Sequence, residues 1–113
     1  MDTLVMNGFT RIGSFGVDSG TVMIVDPCYV LDGEGKYPLS FGHNWDEFVV
    51  MNLMDDDGNH LDSKELSGAM GVVSSTGYGD GVYPVYARKD ENDRIVELRI
   101  LFDNTYLPSW VVA

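Results

Sequence analysis

The chain has 113 residues, 44% of them hydrophobic and 12% aromatic, which is the composition of one folded domain with a modest core. Seven basic residues face 18 acidic ones, a net charge of −11. The chain lacks the cations that displace counterions from a phosphate backbone or hold an anionic membrane, so non-specific nucleic-acid binding and membrane attachment are both disfavoured.

Phe9–Phe15 alternates loosely and predicts a strand, with Phe9, Arg11, Gly13 and Phe15 on one side and Gly16–Gly20 as the following turn. Thr21–Val25 is apolar throughout and β-branched, the pattern of a central strand buried on both faces. Asp26-Pro27 ends it, because proline cannot donate to a ladder, and Cys28–Leu31 continues as a short extended piece. Asp32–Gly42, with three glycines and a proline, reads as a loop.

Asn44 then opens a helix. It is a good N-cap, and Glu47 three residues on completes a capping box. Trp45, Phe48, Val49 and Leu53 fall on one apolar stripe, which predicts a helix over residues 44–54 with Trp45, Phe48 and Leu53 buried. Asp55–His60 is a polar turn, and Leu61–Gly68 an irregular loop with a helical turn. Ala69–Thr76 reads as a strand and Val82–Lys89 as its partner or neighbour, with Pro84 pushing the latter to an edge or a bulge. Asp90–Asp93 is a hairpin turn. Arg94–Phe102 alternates well, with Val96, Leu98, Ile100 and Phe102 on a buried face and Glu97 and Arg99 on the other. Short extended pieces follow around Pro108. The sum is a mainly β, α+β domain: an antiparallel sheet, sandwich or partly open barrel with one amphipathic helix, spanning residues 1–113.

The stretch with most chemical character is Val72–Lys89, where Gly77, Gly79 and Gly81 interleave with Tyr78 and Asp80. Glycines there permit positive φ or a close ligand, though a tight connection between strands explains them as well. No lysine follows as in a phosphate loop, and no helix follows as in a dinucleotide fingerprint. Asp55, Asp57 and Asn59 match the first, third and fifth places of a calcium loop, but His60 stands where glycine is needed and Leu66 where a glutamate is needed. No cofactor is expected; a divalent cation has in its favour this broken match and the acids Asp18, Asp26 and Asp80 beside turns, which could bind one if those turns meet. One cysteine with His43 and His60 makes no closed zinc set. Cys28 has no histidine nearby in sequence and reads as a small, structural, buried or half-buried side chain. Being single, it closes no internal disulfide, as in a reducing cytoplasm. The opening MDTLVMNGFTR lacks the order of a signal peptide, and no apolar run reaches the roughly 20 residues of a membrane span.

GVDSG at 16–20, VDPCYV at 25–30 and STGYGDGVYPVY at 75–86 resemble a family of small uncharacterised proteins, a domain of unknown function found in bacteriophages and bacteria. The resemblance runs from about Gly13 to Phe102. It implies a phage or prophage accessory protein in bacterial cytoplasm, open to homo-oligomer formation, and supplies no catalytic residues. The expected function is non-enzymatic binding of a small molecule or host protein, including a host defence signal. The expected site gathers Asp18, Asp26, Cys28, Tyr29, Tyr78 and Asp80, with the Asp26 and Asp80 carboxylates at one rim. An anionic ligand there would need Arg11, Lys36, Arg88 or Lys89 beside it. The alternatives are a hydrolase using Asp80 with Asp26 or a histidine, and an acidic surface that mimics nucleic acid or blocks a basic partner.

Overall fold

The computed structural model describes residues 8–30, 42 and 44–112; the expectations for Leu31, Lys36, His43 and most of the Asp32–Gly42 loop lie outside them. The elements among the described residues are β1 (Thr10–Val17), β2 (Thr21–Val25), α1 (Trp45–Asn52), β3 (Ser63–Glu65), β4 (Gly71–Ser75), β5 (Gly81–Lys89) and β6 (Ile95–Ile100). The strands form two antiparallel three-stranded sheets, ordered β1-β5-β6 and β2-β4-β3. The expected mainly β, α+β class with one helix is therefore what forms, without a closed barrel among the described residues. The sheets belong to two compact units, residues 8–20 with 77–112 and Thr21–Thr76.

In the first unit β5 lies between β1 and β6. Tyr83, Val85 and Ala87 share one face with Phe15 and Val17 of β1; Tyr83 meets Phe102 edge-on at 5.3 Å and Phe15 at 6.4 Å. β1 runs on through Val17, which is buried opposite Gly81, so the turn is only Asp18–Gly20, shorter than expected. Pro84 sits in a central strand, not on an edge. Its carbonyl accepts from Leu101 N–H at 3.3 Å. Backbone N and O of one strand residue face the same neighbour. The missing N–H therefore points toward β6 just beyond the last pair, Val85↔Ile100, and forfeits only the terminal bond reciprocal to that of Leu101. The β5–β6 hairpin closes as predicted: the Asp90 carboxylate accepts from Asn92 N–H and Arg94 N–H and meets the Arg94 guanidinium at 3.2 Å. β6 is less buried than its alternation predicts. Val96 is an extra residue at a bulge, and Leu98 is 59% exposed, because the apolar face of this edge strand runs out toward the hairpin turn.

The opposite face of this sheet is covered by the C-terminal segment. Phe9 bridges Val111, donating N–H to Trp110 O at 3.0 Å and accepting from Val112 N–H at 2.8 Å. Trp110 packs edge-on against Phe9 and Tyr86, at 5.1 and 5.2 Å, and the Arg99 guanidinium lies 4.2 Å from the Phe9 ring centre and 4.8 Å from that of Trp110.

In the second unit the core is Phe48, Leu53, Leu66 and Val73, with Val25, Val30, Val49 and Met70 against it. The cap is as expected: Asn44 Oδ1 accepts from Glu47 N–H at 3.0 Å, and the Asn44 amide donates to the Glu47 carboxylate at 3.2 Å. The helix stops at Asn52, two residues early. Trp45 stacks on Phe48 at 5.5 Å yet stays 43% exposed, a correction to its expected burial. β2 is also corrected: it is an edge strand and β4 is central, so Ile24 is 61% exposed. A β-branched run reports fit to a pleated surface, not burial on both faces. β4 pairs with β2 and β3 and not with β5. β3 emerges from a stretch read as loop, because Ser63, Lys64 and Glu65 are polar and become a strand only by pairing along the buried Val73.

Candidate ligand groove

Asp18 and Asp80 flank the last β1–β5 pair, Val17↔Gly81, and so lie at the same end of that sheet. Gly20, at φ 68°, backs onto this turn: a Cβ there would stand 3.8 Å from Gly79 Cα and 4.0 Å from Asp80 Oδ1. The Tyr83 hydroxyl donates to Gly79 O at 2.8 Å and fixes the turn, whose Gly77 and Gly79 both have φ near 76°. Exposed Tyr78 is near enough to the Asp103 carboxylate to lower its pKa, the smallest of the influences on that group. Asp103 accepts from the Thr105 hydroxyl at 2.6 Å and from Thr105 N–H at 3.1 Å.

Asp103 thereby pins residues 104–107, which wall an open groove of about 410 Å³. Pro84 and Tyr86 of β5 and Leu101 supply its apolar lining, Arg11 of β1 its one charge, and Val82, Asn104, Thr105, Tyr106 and Leu107 the rest. Arg11 reaches this face through a bulge. The register passes from Arg11↔Tyr86 to Gly13↔Val85 and leaves Ile12 as an extra residue. The alternation is reversed there, so Arg11 does not share a face with Phe15, as the sequence predicts, but lies opposite Tyr86. On the same face Gly16 faces Val82, and a Cβ on Gly16 would meet nothing within 4 Å, so this side stays open.

The four other bases of this unit are committed to carboxylates. Arg88 and Arg99 share Glu97 at 3.0 and 3.3 Å, Lys89 meets Asp93 at 3.3 Å and Arg94 meets Asp90. The Arg11 side chain makes no ion pair or hydrogen bond among the described residues.

Bonds from the Thr105 hydroxyl and N–H, with a smaller contribution from Tyr78, hold the Asp103 carboxyl below the usual range. A depressed carboxyl contributes above its unfolded pKa, and the contribution is lost as pH falls through the folded one. The Thr105 amide resonance is therefore expected to be flat from neutral pH down and to move only below the ordinary aspartate value of about 3.9. A midpoint above that value in an NMR pH titration is incompatible with this assignment.

Asp26, Cys28 and Tyr29 belong to the second unit. They form one 3-10 turn, not an extended piece. The Asp26 carboxylate caps it, accepting from Cys28 N–H at 2.9 Å, and bonds to the backbone and thiol of Cys28 lower its pKa. Cys28 is exposed, not buried. Desolvation and then the Asp26 carboxylate push its thiol pKa up, the opposite of what a nucleophilic cysteine needs. His60 bridges Met54 across the acidic turn. There Asp55 accepts from Asp57 N–H at 2.9 Å and Asn59 N–H at 2.8 Å and so closes its own loop. Among the described residues no group of three or more His, Cys, Asp or Glu is placed to hold a metal ion.

These features define a small acidic α+β protein with two antiparallel three-stranded sheets and a groove on one of them. The model of a protein family of unknown function, DUF4241, matches residues 3–100, and the chain belongs to that family. No curated protein and no solved structure matches it. No α-helix among the described residues is long and apolar enough to cross a membrane.

Proposed function

We propose that this protein is a non-enzymatic binding module whose ligand site is the groove on the β1-β5-β6 sheet. Arg11 carries the reading. In a chain of net charge −11 a cation without a carboxylate partner among the described residues stands in a groove beside tyrosine and proline side chains. Such a combination, mostly apolar with a few convergent polar groups, is what small-molecule sites are made of. The described lining holds no aspartate, glutamate, histidine or cysteine, which favours holding a ligand over turning one over. Asp18, Tyr78 and Asp80 are not part of the described groove lining, and Asp26, Cys28 and Tyr29 serve their own turn. The resemblance to phage and bacterial proteins makes a phage or prophage accessory role in the bacterial cytoplasm the setting we favour.

The test is an amide-resolved NMR screen of the full chain with a fragment library. Hits are expected to move Arg11, Val82, Tyr86, Thr105 and Leu107. Hits that move only Thr21–Thr76 amides, or conversion of a fragment to product, defeat the reading. A second reading, an acidic surface that blocks a basic partner, draws on the Thr21–Thr76 unit, where two basic residues face ten acidic ones for a net −8. Poly-lysine added in the same screen at physiological salt would support it by shifting Asp55, Asp56 and Asp57 saturably.

A further inference from the structure

Given that the groove is the ligand site, we infer that it takes a small molecule with one negative charge, a carboxylate or a phosphodiester, attached to a flat ring. The charge count limits the anion. Arg11 is the one cation in the described lining. The sequence of the unit around it, residues 1–20 with 77–113, carries five basic and eight acidic residues, a net −3. One guanidinium offsets one ligand charge; each further charge would enter a negative field uncompensated. The oxyanion follows from the planar donor fork of arginine, which matches two oxygens on one carbon or phosphorus.

The ring follows from the walls. Leu107 is 69% exposed, Val82 63% and Tyr106 58%. Three large apolar side chains left in water around one groove mark a surface completed by an apolar partner. Tyr106 offers a ring face for stacking, and Pro84 is a flat, rigid part of the lining. A volume of about 410 Å³ lies toward the small end of ligand pockets, roughly 300–1,000 Å³, which suits one ring system and not a peptide or dinucleotide. Asn104, exposed and without a hydrogen bond among the described residues, presents a donor and an acceptor to a ring edge.

The experiment uses five probes on the full chain, followed by amide NMR: naphthoate and its neutral partner naphthamide, cyclic AMP and its neutral partner adenosine, and ATP as a polyanion. At least one anion is expected to shift the groove amides, its neutral partner to bind about tenfold or more weakly, and Arg11→Gln to remove the difference while leaving the rest of the spectrum in place. Which anion binds assigns the source, carboxylate or phosphodiester. Equal binding of the neutral partner in the groove overturns the charge assignment and leaves the groove as the site. Shifts confined to other residues overturn the groove itself. No shift from either anion at millimolar concentration, or tighter binding of ATP than of cyclic AMP, overturns the monoanion class.

Discussion

Leu66→Ala is expected to remove roughly 2–5 kcal/mol of stability, a large share of the ~5–15 kcal/mol of an ordinary domain. Leu66 is 1% exposed and packs with Phe48, Leu53 and Val73, so it joins the helix to the sheet of its unit. It is also held by its backbone: Leu66 N–H donates to Gly71 O at 2.8 Å and Leu66 O accepts from Ala69 N–H at 3.1 Å. The side chain therefore cannot be replaced by a simple backbone shift, and truncation leaves a cavity. Urea unfolding should show a lower midpoint at an unchanged slope. Leu66→Met keeps the volume and is expected to cost less than ~1.5 kcal/mol. An alanine variant as stable as the parent would mean that this cluster is not the core.

Gly71→Ala is the second large effect, and its cause is different. No cavity forms; a Cβ at Gly71 would overlap the Ile24 carbonyl oxygen and Val25 Cγ1 and stand 3.2 Å from Leu66 Cδ1. A side-chain tip can swing aside, but a carbonyl in a ladder cannot. β2 must therefore move, and the Ile24↔Val72 and Val25↔Gly71 pairs suffer first. Overpacking of this kind costs ~1–3 kcal/mol or more. Faster hydrogen exchange across Thr21–Val25, with a lower melting temperature, is the expected result. Gly13→Ala is the control, since a Cβ there meets nothing within 4 Å. Equal behaviour of the two variants would remove the steric argument.

The helix and the β5–β6 hairpin were legible because their determinants are local. Asn44 and Glu47 are three residues apart, and Asp90 closes a loop of its own neighbours. Strand order was not, because apolarity does not name a partner. Thr21–Val25 has the composition of a central strand, yet Val73 of β4 is the fully buried residue between β2 and β3. Pro84 argues for an edge until the end of the β6 ladder is known. Of the expected site, Asp18, Tyr78 and Asp80 stand in the turns next to the Val17↔Gly81 pair of one sheet, and Asp26, Cys28 and Tyr29 belong to the other unit. The tyrosine-proline pair in Val72–Lys89 pointed toward the groove without revealing it. Arg11 was one of four candidate cations: Arg88 and Lys89 are taken by Glu97 and Asp93, and Lys36 lies outside the described residues. Nothing in the alternation of Phe9–Phe15 marks Ile12 as the residue to be skipped. That information sits in β5, more than seventy positions along the chain.

The Ile12 bulge makes pairing, and not residue type, the determinant of where this arginine stands. Were the same residues paired without the bulge, Arg11 would face Ala87 and lie on the other side of the strand, with Phe15 and Tyr83. A relative shorter by one position between Thr10 and Gly13 would instead keep its arginine opposite Tyr86 by regular alternation, because losing the residue and losing the bulge cancel. In such a lineage the anion anchor survives a deletion that the strand's alternation alone would read as a change of face.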